Sequence, residues 1–202
     1  RSTPKPSSAA SDVYKRQVLS GDLNKNIVSS INNQGGKGVG ISGKDASLVI
    51  CEKDNPVLGY VGKPILINTK LITTLVENDF IPVISPIGTN EEGETFNINA
   101  DTMAGTIASA LKADRLLLLT DVSGVKDKSD NKIEKASTEE IKKLIKENVI
   151  KDGMIPKVNT AIDSIEKGVR AVVILDGSIQ NACLLELFTD HGVGTLIRKE
   201  LN

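Results

Sequence analysis

The feature that most constrains this chain is an alternation of short apolar runs with stretches of helical period. "RLLLLT" (115–120) and "AVVILD" (171–176) have strand length and are apolar almost throughout. Such runs suit strands covered on both faces, as in parallel sheets. Around them, Ala104, Ile107, Ala108 and Leu111 recur at i, i+3, i+4 and i+7, which is one stripe of a helix. Val158, Ala161, Ile162 and Ile165 make a second stripe, with Pro156 placed for a first helical turn. Strands alternating with helices predict an α/β protein, with a largely parallel sheet covered on both faces.

The remaining signals agree. Asp22 is a candidate cap for a helix carrying Ile27, Val28 and Ile31, stopped by Gly35 and Gly36. Asn68 is a candidate cap for a helix to about Asn78, with Leu71, Ile72, Leu75 and Val76 as its stripe. "STEE" (137–140) fits a capping box before Ile141, Leu144 and Ile145. "GVGIS", "ASLVICE", "FIPVISPIG" and "TLI" read as strands, and "GYVGKPILIN" as mixed strand and turn. No internal repeat is present.

Composition excludes several classes. A length of 202 residues with 39% hydrophobic content suits one globular domain or two small lobes. A net charge of −1 leaves no electrostatic footprint for nucleic acid or an anionic membrane. No apolar run approaches the roughly 20 residues of a membrane span. Cys51 and Cys183 lie far apart and make no disulfide or metal pattern. They read as buried small hydrophobes in a reducing cytosol, hence a cytoplasmic protein. His191 is the only histidine, which leaves zinc sites and Ser-His-Asp triads poorly supported; it reads as a loop residue. Residues 1–17, "RSTPKPSSAASDVYKRQ", lack apolar period and are expected to be disordered. They read either as a transit peptide or as an expression or sequence-assembly scar.

"GVGISGKD" (38–45) comes within one residue of a phosphate-binding loop, with Asp45 where Ser or Thr is required. That carboxylate would repel a phosphate, and the β-branched residues that follow do not open a helix. A glycine-rich turn between two strands fits better, with Lys44 a solvated or interface lysine.

Ligands of open α/β sheets bind beyond the carboxyl ends of the strands. Three stretches fall at such ends. "NINAD" (97–101) places two amides and a carboxylate at the opening of a helix, for gripping a polar substrate or for ordinary capping. "TDVSGV" (120–125) leaves an apolar strand into a tight turn allowed by Gly124, as a ligand edge or a plain Asx-turn loop. "DGMIPK" (152–157) puts Lys157 in a first helical turn, where the macrodipole disfavours a cation by a few tenths of a kcal/mol or more. An anion docking there would explain it; a flexible surface lysine is the alternative.

Taken in this order, these stretches resemble the amino acid kinase family, and within it the branch that acts on N-acetyl-L-glutamate. "VLSGDLNKNIVSSINNQGGKGVGISGKD", "FIPVISPIG", "GETFNINADTMAGTIASALKAD", "LLLLTDVSGV", "GMIPKV" and "LELFTDHGVGTLI" carry the resemblance from Val18 to about Ile197. It implies a three-layer α/β/α sandwich with a mainly parallel central sheet. It also implies a substrate-side lobe over residues 18–100 and a nucleotide-binding lobe over 101–202. Asn97 and Asn99 would hold the acceptor, Asp101 would organise catalytic lysines, and Lys157 would contact the transferring phosphoryl group. Thr120, Asp121, Val122, Gly124, Val125, Gly153 and Met154 would border the nucleotide, ATP with Mg2+. No protein ligand to a metal is implied.

The implied reaction moves the γ-phosphoryl of ATP onto the acceptor's side-chain carboxylate, a step of arginine biosynthesis. That carboxylate has an ordinary pKa of about 4.3, so no general base is needed at neutral pH. The burden is charge, met by positioning and by cations. L-arginine as an inhibitor and a homo-oligomer of the full-length enzyme are implied as well. The family's opening strand with its lysine and paired glycines, its second glycine-rich loop and its substrate-binding arginine are not matched. This suggests a fold incomplete at its N-terminus and a scar on a truncated gene. Since one lost oxyanion-type donor costs about 10² to 10³ in rate, the chain as given is expected to be nearly inactive. A related kinase with another acceptor, a non-catalytic arginine- or nucleotide-binding module, and a fragment too short to fold stably are the competing readings.

Overall fold

A computed structural model describes residues 17–54, 59–189 and 192–201. The expectations for the prefix, Gln17 excepted, and for His191 lie outside these residues. Backbone packing divides the chain into two units, one up to Met103 and one from Ala104.

In the first unit a π-helical stretch, Gln17–Leu23, runs directly into α1 (Asn24–Asn33). Asp22 therefore does not cap the helix. It lies inside the preceding turn, and its Oδ1 accepts a bond from Asn26 Nδ2 at 3.1 Å. The stop is as expected: Gly35 takes φ +83°, and Gly36 N–H donates to Ile31 O at 3.0 Å. Asn24 is buried because its Nδ2 reaches Val83 O at 2.9 Å and Ser85 Oγ at 3.0 Å.

β1 (Gly38–Ser42) pairs in parallel with β4 (Ile81–Ser85). Between β1 and β2 (Val49–Lys53) lie a turn at Gly43 and a 3-10 turn, Asp45–Ser47. No α-helix follows Lys44. Ser42 donates to Asp45 Oδ2 from its N–H at 2.7 Å and its hydroxyl at 2.8 Å, so the aspartate closes its own turn. "ASLVICE" becomes a strand only from Val49, because Ala46 and Ser47 take φ near +50°.

β2 pairs antiparallel with β3 (Gly62–Ile67) and in parallel with β5 (Ile87–Thr89), which pairs antiparallel with β6 (Thr95–Asn97). Between β3 and β4 runs α2 (Lys70–Glu77). Asn68 Oδ1 accepts from Lys70 N–H at 3.3 Å, one residue ahead of the cap position that Thr69 occupies. Leu48, Val49, Cys51, Ile72, Ile87 and Phe96 are buried here.

Helix α3 (Ala100–Ala110) carries the division between the units. The second unit holds β7 (Arg115–Thr120), β8 (Lys135–Ser137), α4 (Thr138–Lys146), α5 (Met154–Glu166), β9 (Ala171–Asp176), α6 (Ala182–Phe188) and β10 (Thr195–Arg198). Its sheet runs β7–β9–β10–β8. The β7–β9 and β10–β8 ladders are parallel, and β10 lies antiparallel to β9. Central β9 is buried from Ala171 to Leu175, as its apolar run predicts. Among the described strands β7 has one neighbour in this sheet, and its equally apolar run is fully covered on one face only. Leu116 and Leu118 are buried, whereas Leu119 is 50% exposed.

Val158, Ala161, Ile162 and Ile165 of α5 enter the same core as Ile141 of α4. The capping box is complete: Ser137 Oγ accepts from Glu140 N–H at 3.2 Å, and Ser137 N–H donates to Glu140 Oε2 at 2.7 Å. α3 packs on α5 at Gly105, where a Cβ would stand 2.6 Å from Thr160 Cγ2.

Candidate active site

Each unit presents its own candidate residues. In the first, antiparallel β5 and β6 bring the chain to the start of α3. Asn97 ends β6 opposite Ile87, and its N–H donates to Tyr60 O at 2.8 Å. Ile98 turns inward, 5% exposed. Asn99 then caps α3: its Oδ1 accepts from Thr102 N–H at 3.0 Å and lies 3.3 Å from Thr102 Oγ1. Capping and ligand contact were the two readings of this stretch. The structure gives Asn99 Oδ1 the capping part, while Asn97 stands at the strand end. Asp101 lies half-buried in the first turn of α3, where the N-terminal end of the helix dipole favours a carboxylate.

In the second unit, β7 and β9 end together. Thr120 pairs with Asp176, and Gly177 N–H donates to Thr120 O at 2.8 Å. Thr120 and Asp121 leave this edge side by side, with the threonine hydroxyl 3.2 Å from the aspartate Oδ1. Val122 is exposed and Val125 is 1% exposed, so the turn begins in solvent and ends in the core. Gly124 sits at φ +132°, where a Cβ would stand 2.5 Å from Thr195 Oγ1. Conformation and space both require glycine there.

The 152–157 stretch does not leave a strand as expected: it links α4 to α5, because β8 runs directly into α4. Gly153 precedes α5 with no side chain capping that end. Met154 packs against the core of the unit. Lys157 is half-buried in the opening stretch of the helix, which holds no acidic residue in its first turn.

Two residues escaped the sequence reading. Asp176 shares the strand edge with Thr120. Its carboxyl is held below the ordinary aspartate range by the Ser178 hydroxyl at 2.7 Å, and then by Ser178 N–H at 2.8 Å. The acid closing "AVVILD" mirrors Asp121 after "RLLLLT" and was the available signal. The second is Thr195, fully buried, whose hydroxyl accepts from Val125 N–H at 2.9 Å and donates to Ile133 O at 2.6 Å. Its only mark in the sequence is a threonine after glycine at the start of a strand.

A polar cavity of about 380 Å³ lies in the same unit, lined among others by Arg115, Glu134, Lys135 and Glu186. Glu186 is 8% exposed and accepts from Gly194 N–H at 3.1 Å.

An α/β scaffold with polar residues at its strand ends is the kind that binds ligands at those ends. The chain belongs to the amino acid kinase family, whose sequence profile matches residues 2–176. Its fold is the three-layer α/β/α sandwich of that family. It is 57% identical to the acetylglutamate kinase of Ruegeria pomeroyi, over 91% of this chain and 64% of that protein. The chain therefore spans a little under two thirds of this relative's length. Among solved structures, a Streptococcus mutans protein superposes with a TM-score of 0.82 at 29% identity, covering 99% of this chain and 77% of that one. The N-acetylglutamate synthase of Neisseria gonorrhoeae, complexed with coenzyme A and N-acetyl-glutamate, shares the fold, with a TM-score of 0.86 at 24% identity. That match covers 96% of this chain and 45% of the synthase.

Proposed function

We propose that this chain carries the nucleotide-side and acceptor-side residues of an acetylglutamate kinase, which phosphorylates the side-chain carboxylate of N-acetyl-L-glutamate with ATP. The observation that carries the reading is the 57% identity to a curated acetylglutamate kinase over 183 residues, a length that must include all three candidate stretches. In this reading Asn97 and Asn99 hold the acceptor. Thr120, Asp121, Val122, the Gly124–Val125 turn, Gly153 and Met154 border the nucleotide. Lys157 neutralises charge on the transferring phosphoryl group, and Asp101 orients the cations around it.

The chemistry suits these residues. The acceptor is already an anion at neutral pH, so no proton need be removed. What opposes reaction is repulsion between that anion and the triphosphate. Fixed cations and in-line positioning address this, and magnesium arrives with the phosphates of ATP.

Calorimetric titration of MgATP into the chain, with Lys157→Ala as partner, tests the reading. Saturable binding weakened at least about tenfold by the substitution, roughly 1.4 kcal/mol, is expected. A folded chain that takes up no MgATP, or a variant that binds it equally well, refutes it.

A regulatory role stands beside the catalytic one. The Glu186 cavity pairs two carboxylates with two cations, which matches the guanidinium and carboxylate ends of L-arginine. Arginine bound there should raise the melting temperature with the logarithm of its concentration above the dissociation constant. No shift at millimolar arginine would remove this role and leave the kinase reading intact.

A further inference from the structure

We infer that Thr195 is a positioning residue for the nucleotide turn; this rests on the nucleotide reading above. The turn after β7 changes partners abruptly. Val122 is exposed, and three residues later Val125 is locked in the core. Something must fix where the backbone between them stands, because a nucleotide edge built from backbone needs its amides held in place before the ligand arrives.

One hydroxyl does this. Val125 N–H donates to Thr195 Oγ1 at 2.9 Å, and the same oxygen donates its proton to Ile133 O at 2.6 Å. Ile133 N–H returns a bond to Val125 O at 2.8 Å. The hydroxyl thus closes the base of the hairpin that continues through Lys126 and Lys132, with donor and acceptor capacity both used. Gly124 lies against the same oxygen.

Thr195 is itself immobile, since it opens β10 and pairs with Ile174, which is fully buried in β9. Gly194 before it approaches β9 so closely that a Cβ would stand 2.5 Å from Ile174 O. Lys132 Nζ holds Val193 O at 3.0 Å. The turn is therefore referenced to the centre of the sheet through a side chain 70 residues away in sequence. Thr195 touches no ligand; its part is to set the height and tilt of the Gly124–Val125 peptide.

Thr195→Val keeps the shape and removes both hydrogen bonds, and Thr195→Ser keeps the bonds and removes a methyl. Each is titrated with MgATP by calorimetry, and exchange of the Val125 amide is followed in parallel. Thr195→Val is expected to keep a native circular dichroism spectrum, to bind MgATP about tenfold more weakly, equivalent to about 1.4 kcal/mol, and to lose protection at Val125. Thr195→Ser is expected to bind within twofold of the parent. Should Thr195→Val fail to fold, Thr195→Cys, which retains a weaker acceptor, must show the same loss in graded form. Equal binding by the parent and Thr195→Val, or Thr195→Ser as weak as Thr195→Val, overturns the role of Thr195. A parent chain that binds no MgATP overturns the nucleotide reading itself.

Discussion

The capping box at the start of α4 allows a prediction worked from geometry. Ser137→Ala removes the acceptor for Glu140 N–H at 3.2 Å and the hydroxyl bonded to Glu140 Oε2 at 2.9 Å. It leaves the 2.7 Å bond from Ser137 N–H to the same carboxylate. Loss of a serine cap costs about 1 kcal/mol, which in a chain of this size lowers the melting temperature by roughly 2–4 °C. Glu140→Ala removes the reciprocal bonds, so the pair should couple by at least about 0.5 kcal/mol in a double-mutant cycle.

The carboxyl of Glu140 is held below its ordinary value of 4.5, first by Ser137 N–H, then by the Ser137 hydroxyl, with Lys143 adding to both. A depressed carboxyl stabilises the fold above its unfolded pKa, and the contribution is lost as pH falls through the folded one. The stability gap between the parent and Glu140→Ala should thus be full at pH 7 and close as pH drops below about 4.5. Urea unfolding of the four proteins at pH 7, 5 and 3.5 measures both quantities. Additive single substitutions, or a gap independent of pH, would refute the reasoning.

Two further outcomes follow from packing. Cys51 is 1% exposed and burial pushes its thiol up to about 11, so it should resist alkylation in the native state at pH 7 while Cys183, half-buried, reacts first; mass mapping after a timed quench reads the order. Gly43→Ala would drive a Cβ into Ile87 O and against Val49, and should destabilise by about 1–3 kcal/mol, seen as a lower urea midpoint with an unchanged slope.

Local signals in the sequence translated directly into structure wherever the cause was local. The box at Ser137, the stop at Gly35 and the stripe on α5 depend on neighbours within one or two turns, and all three formed. The departures have non-local causes. Asp22 was displaced as a cap because the chain ahead of α1 continues as a π-turn. "RLLLLT" and "AVVILD" look alike as strings, yet one is an edge strand and the other the centre. Only pairing decides that, and pairing is not written in composition. For the candidate site, 97–101 and 120–125 leave strands as their flanking apolar runs imply, whereas 152–157 follows α4, a helix-to-helix link that its own residues do not reveal. The part of Thr195 was not legible, because its partners lie 70 and 62 residues away.

The strand order of the second unit also bears on the chain's synthesis. Among the described strands β8 has a single neighbour, β10, and 57 residues separate Ser137 from Thr195. At translation rates of about 5–20 residues per second, β8 emerges roughly 3–11 s before its native neighbour β10. During that interval its unpaired backbone is open to other chains. The exposed lysine at its head is the kind of charged residue that discourages pairing of an edge with other chains.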